Sequence, residues 1–171
     1  MSKVLPIDFA KQNFASPSFL KRGFTLIELL LVISILAVLL AIVLVAINPA
    51  RQIAQANNTQ RRSDINAILN AIHQYAADNN GALPPGITTS VLTIASSGAS
   101  TVNLCGSLVS TYLADLPLDP TSGTESPANS ICSDVGATYN TNYTVVSSAA
   151  NNRITIAAPS AQLGATISVT R

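Results

Sequence analysis

The chain has 171 residues, of which 48% are hydrophobic and only 10% charged, with a formal net charge of +1. That length accommodates one sizeable core, and that composition excludes a chain disordered throughout. The charge is uneven about Gly23: Lys3, Lys11, Lys21 and Arg22 face only Asp8 before it, whereas five arginines face seven carboxylates after it, which leaves no broad basic surface for nucleic-acid phosphates.

Residues 1–20, "MSKVLPIDFAKQNFASPSFL", mix Pro, Ser, Lys and scattered aromatics without a period and read as a leader. Over residues 24–47 an apolar run is broken only by Thr25, Glu28 and Ser34. At 1.5 Å per helical residue it extends about 36 Å, enough to cross a bilayer core. A secretory signal ends its apolar core at small residues, whereas this run continues into "INPARQIAQ" and is expected to stay in the protein. The Lys21 and Arg22 pair ahead of it orients the N-terminus to the cytoplasm and everything beyond Pro49 outside.

Residues 51–64, "RQIAQANNTQRRSD", are polar on every face, and Arg61 with Arg62 reads as solvated helix surface. Ile65, Ile68, Leu69, Ile72 and Ala76 then recur at helical spacing, the pattern of an amphipathic helix covering a core. Asn79, Asn80 and Gly81 followed by Pro84, Pro85 and Gly86 form a stop, so one helix is expected from about residue 25 to 78, bent at Pro49. His73, the only histidine, lies beside the apolar stripe and reads as a partly exposed surface residue.

Further on, a short strand fits residues 91–95 and a short helix fits "GSLVSTYLADLP", ending before Pro117. The β-branched segments "NYTVVSSA", "RITIAA" and "ATISVT" predict three antiparallel strands. Cys105 and Cys132 have no neighbouring His to suggest a metal site. A disulfide and an oxidising, extracytoplasmic location is the economical reading; two buried reduced thiols is the other.

Glu28 is the anomaly, because a carboxylate buried unpaired in a membrane helix costs at least a few kcal/mol. One solution places it at the headgroup boundary, where helix N-termini favour acidic residues. Another follows if the chain is cut between Gly23 and Phe24, which frees an α-amino group one helical turn from Glu28. Between copies shifted along an axis, the ammonium of one meets the carboxylate of the next, and such a head-to-tail contact repeated without closure makes a helical filament.

With those residues in view, "KRGFTLIELLLVISILAVLLAIVL" resembles the class III prepilin signal of type IV pilins and pseudopilins. The matching features are a basic residue and Gly before the cut, Phe at the new start, Thr-Leu-Ile-Glu-Leu after it, and an uninterrupted apolar helix. The resemblance implies that a prepilin peptidase cuts after Gly23 and methylates the Phe24 amine, and that Glu28 is the assembly residue. Its implied partners are other copies of the chain, the peptidase, an inner-membrane assembly platform and, before assembly, membrane lipid, with no nucleic acid. The implied location is the inner membrane as a single-pass precursor, then a cell-surface or periplasmic filament. The expected fold is α+β: a leader over 1–23, an anchor and filament-core helix over 24–48, and an extracytoplasmic domain over 49–171 whose helical spine packs on a three-stranded antiparallel sheet.

"YLADLPLDP", residues 112–120, resembles the "LPxDP" segment of major pseudopilins, in which a nearby loop binds calcium. Asp119, Glu125 and Asp134 are the candidate oxygen donors, set against an ordinary Pro-bounded loop, since Thr121, Ser122 and Gly123 stand where Trp-Gly often follows. No other cofactor is implied, and no nucleophile set, phosphate-binding glycine loop or positioned carboxylate pair points to an enzyme. Two alternatives stand beside the pilus subunit: a major pseudopilin of a type II secretion or DNA-uptake system, and a membrane-anchored extracytoplasmic binding module.

Overall fold

The computed structural model describes residues 23–127, 132 and 136–171; the leader ahead of Gly23 and the calcium candidate Asp134 lie outside them. Two compact units divide between Ala46 and Ile47.

The first unit is built on helix α1, Leu26–Ile47, whose 22 residues include no buried side chain. It is apolar all round, as a helix surrounded by lipid or by other apolar helices must be. Its one internal hydroxyl is satisfied locally, Ser34 Oγ donating to the carbonyl of Leu31 at 2.8 Å.

The expected single helix from residue 25 to 78 is in fact two, because Asn48 adopts a left-handed conformation (φ 47°, ψ 77°) between α1 and helix α2, Pro49–Asp78. The cause is Pro49, which disfavours the right-handed helical conformation in the residue before it and fits best at the first position of a new helix. Asparagine tolerates the left-handed region, and Asn48 Oδ1 accepts from the amide of Arg51, capping α2. At the other end the predicted stop is a paired one: Asn80 is left-handed (φ 55°) and the Gly81 amide donates to the Ala76 carbonyl at 2.7 Å.

The core face of α2 carries the predicted Ile65, Ile68, Leu69 and Ile72, all essentially inaccessible to solvent. The stripe also continues backward through Ala54, Asn58, Arg61 and Asp64, which are buried as well. Arg61 is therefore not solvated helix surface, although its neighbour Arg62 is.

The sheet corrects a second expectation. It is mixed and six-stranded, not three-stranded and antiparallel. Its strands are β1 (Leu92–Ala95), β2 (Thr101–Val102), β3 (Thr124–Ser126), β4 (Thr138–Ser147), β5 (Ile154–Ala157) and β6 (Ser168–Thr170), in the order β2-β1-β4-β5-β6 with β3 also paired to β4. The β4-β5-β6 meander is the antiparallel trio predicted from the C-terminal third, with Val145 opposite Ile156 and Ile156 opposite Val169. The added pairings are long-range: β1 antiparallel to β4, β3 antiparallel to β4, and β2 parallel to β1. Between β1 and β4 the register shifts, and Asn142 in the middle of β4 has φ 59°, the mark of a bulge. The short helix expected in 106–117 is α3, Cys105–Leu108, a single turn.

One face of the sheet, with Ile94, Tyr143, Val145, Ile154 and Ile156, meets the α2 stripe, while Leu104, Leu108 and Leu116 complete the core. α2 packs on β5, β6 and α3 within this second unit.

Candidate functional site

The described part of the N-terminal segment begins with Gly23 and Phe24 in the open; Phe24 is 86% exposed, and among the described residues nothing beyond the chain neighbours lies within 4 Å of where a Gly23 Cβ would stand. Thr25 immediately precedes the first residue of α1, and Glu28 is its third residue. Their side chains cap the helix reciprocally. The amide and the hydroxyl of Thr25 both donate to Glu28 Oε2 at 2.9 Å, and the Glu28 amide donates to Thr25 Oγ1 at 3.2 Å. This Thr-x-x-Glu arrangement satisfies two of the amide donors that a helix start leaves without partners. Glu28 thus has a partner inside its own chain, Thr25, which inspection of the charges alone passes over. The capping uses one carboxylate oxygen, Oε2, so a second donor has Oε1 to approach.

A second cluster lies beneath α2, where Arg61 and Asp119 are fully buried and form a two-pronged ion pair: Nε to Oδ2 at 2.7 Å and Nη2 to Oδ1 at 3.0 Å. Nη1 donates to Asn58 Oδ1 at 3.0 Å and to Gln162 Oε1 at 3.4 Å, and Nη2 also donates to Thr121 Oγ1 at 2.6 Å. All five guanidinium donors are used, which is the condition under which a buried arginine is tolerable. Asp119 Oδ1 further accepts from the amides of Thr121 and Ser122, each at 2.9 Å. The loop closes so tightly that a Cβ on Gly123 would stand 2.7 Å from the Asp119 amide nitrogen.

Burial pushes the Asp119 carboxyl up, but the Arg61 guanidinium and the Thr121 and Ser122 donors outweigh it and hold the group at about 2. Burial also raises Asp64, against the donors Tyr143, whose hydroxyl reaches it at 2.7 Å, and Gln60 at 2.8 Å. Tyr143 is pushed well above the usual phenol range by its burial and by the Asp64 carboxylate.

Of the candidate calcium donors, Asp119 is the anchor of an ion pair, and Glu125 is a half-buried residue of β3 opposite Tyr139. Among the described residues no three His, Cys, Asp or Glu side chains are grouped to hold a metal ion. Cys105 and Cys132 are joined in a disulfide, with Cα atoms 5.4 Å apart, so the reduced-thiol reading falls. His73 is half-buried as expected, but its Nε2 is enclosed without a hydrogen-bond partner among the described residues.

Compared with known proteins, neither curated sequences nor solved structures give a significant match. Residues 19–44 match the family model described as the prokaryotic N-terminal methylation motif, and the stretch matched includes Gly23, Phe24, Thr25 and Glu28. The N-terminal segment is thus similar to the class III signal of type IV pilins, and together with the apolar helix this supports a type IV pilin-like or pseudopilin subunit.

Proposed function

We propose that the chain is the structural subunit of a type IV pilus-like filament, cut after Gly23, N-methylated on Phe24 and polymerised through its N-terminal helix. One observation carries the reading: within the matched methylation motif, an exposed Phe24 and the lone carboxylate of α1, Glu28, stand one helical turn apart at the start of a helix exposed on every face. Such a helix needs an apolar environment, supplied by lipid before assembly and by the helices of neighbouring copies after it. Its partners in this reading are other copies of itself, a prepilin peptidase, an inner-membrane assembly platform and membrane lipid. The precursor crosses the inner membrane once with the second unit outside, and the mature chain resides in a cell-surface or periplasmic fibre. The work is mechanical, and the reading requires neither catalysis nor a cofactor.

Mass analysis of the mature N-terminus tests it. The expected result is a chain beginning at Phe24 and carrying one added methyl group; an intact Met1, or a start elsewhere, would remove the basis of the proposal. The "LPLDP" segment, residues 116–120, favours a major pseudopilin of a secretion or DNA-uptake system as the second reading. Fibre length under native expression separates the two, a long surface fibre marking the pilus.

A further inference from the structure

The second unit leaves three large apolar side chains outside α1 exposed among the described residues: Ile53 (63%), Val91 (62%) and Leu163 (55%). Two of them belong to the region around the start of α2. Leu163 lines a shallow hollow with Asn48, Ala50 and Arg51, the start of α2, and Ile53 follows Ala50 by one helical turn.

Leu163 is also held in a backbone conformation that leucine disfavours, φ 60°, with Gly164 after it at φ 67°. The residue before it is fixed from several sides. The Gln162 amide donates to Asn58 Oδ1 at 2.9 Å, its carbonyl accepts from Asn58 Nδ2 at 2.8 Å, and its Oε1 accepts from Asn57 Nδ2 at 3.0 Å. A leucine that is both strained and exposed contributes little to the fold it sits in, and strain of this kind concentrates at contact sites.

From this we infer that Leu163, Ile53 and Ala50 form an apolar foot by which the second unit rests on the outer lipid interface of the membrane. Chain continuity supplies the occupant: α1 ends at Ile47, so the first turn of α2 and whatever lines it lie within a few ångströms of the hydrocarbon edge. Charge agrees, because Arg51 is exposed there and no acidic residue occurs in the first turn of α2. An apolar wedge rimmed by a cation suits an anionic lipid surface. The inference rests on α1 spanning the membrane and adds that these side chains of the second unit contact lipid.

The chain contains no tryptophan, so single substitutions place a unique fluorophore. Leu163→Trp and Ile53→Trp, both at exposed positions that leave the core intact, are reconstituted as full chains into phosphatidylcholine–phosphatidylglycerol vesicles with brominated acyl chains. Leu36→Trp in α1 and Gln74→Trp, 26 residues beyond Asn48 along α2, are the membrane and water references. The expected result is blue-shifted emission, largely lost to bromine quenching, at residues 163, 53 and 36, with water-like emission at 74. Quenching at only one of residues 163 and 53, at neither, or at 74 as well overturns the inference. So does a blue shift that follows protein concentration and not brominated lipid, which would assign the foot to a second copy. Absence of quenching at residue 36 overturns the membrane span itself and the inference with it.

Discussion

In the proposed reading two demands meet on the Glu28 carboxylate, and they differ in chemistry. Capping Thr25 needs an acceptor, which a neutral amide also supplies; pairing with an ammonium of another copy needs the charge. Glu28→Gln is therefore expected to keep the helicity of α1 in detergent, by circular dichroism, while fibres disappear from electron micrographs and membrane-inserted subunits persist. Thr25→Ala is the complement: it removes the cap, at a cost of about 1 kcal/mol, retains the charge, and is expected to leave fibres in place. Normal fibres from Glu28→Gln would reduce the residue to a cap. The cap was legible in "FTLIE", because Ser or Thr three residues ahead of Glu marks a helix start, but seen as an interruption of an apolar run Thr25 conceals it.

In α2 the buried stripe runs Ala54, Asn58, Arg61, Ile65, Ile68 and Ile72, one helical face whose lower half is polar. The period was legible and the burial was not, because the partners that make Arg61 tolerable, Asp119, Thr121 and Gln162, are at least 58 residues away in sequence. Removing one partner leaves the other buried without a counter-charge, so Arg61→Met and Asp119→Asn should each cost about 3–5 kcal/mol in urea unfolding of the full chain in detergent. The double variant Arg61→Met/Asp119→Leu should lose much less than the sum, since no orphaned charge remains.

The same pair sets a pH dependence. Asp119 is held at about 2, below the value near 3.9 of an unfolded chain, so its contribution is fully present above pH ~4. It amounts to about 2–3 kcal/mol and is lost as pH falls from ~4 through ~2. Asp64 acts in the opposite sense, because burial raises it and protonation relieves that burden as the pH falls. Asp119→Asn should therefore flatten the acid limb of the stability profile below pH ~4, which urea titrations at several pH values measure.

At the scale of the whole molecule there are two units of different character, one an apolar helix and one a domain with its own core, and only part of that was written locally. The apolar helix and the β4-β5-β6 meander follow from composition and β-branched runs, whereas β2 and β3 are two and three residues long and exist only because β1 and β4 pair with them across the chain. The disulfide belongs to that nonlocal part. It ties α3 to Cys132 over a separation of 27 residues, and closing such a loop restricts the unfolded chain by about 3.5 kcal/mol in the entropic account. Reduction, or Cys105→Ser with Cys132→Ser, should then lower the melting midpoint of the second unit by on the order of 10 °C, followed through its tyrosine near-UV signal. α1 should retain its helicity through that transition, because its hydrogen bonds are internal and its surface lies in detergent or lipid, neither of which the disulfide touches. Loss of both signals at one temperature would mean that the units unfold together, and that the membrane helix draws its stability from the domain instead of from its apolar surroundings.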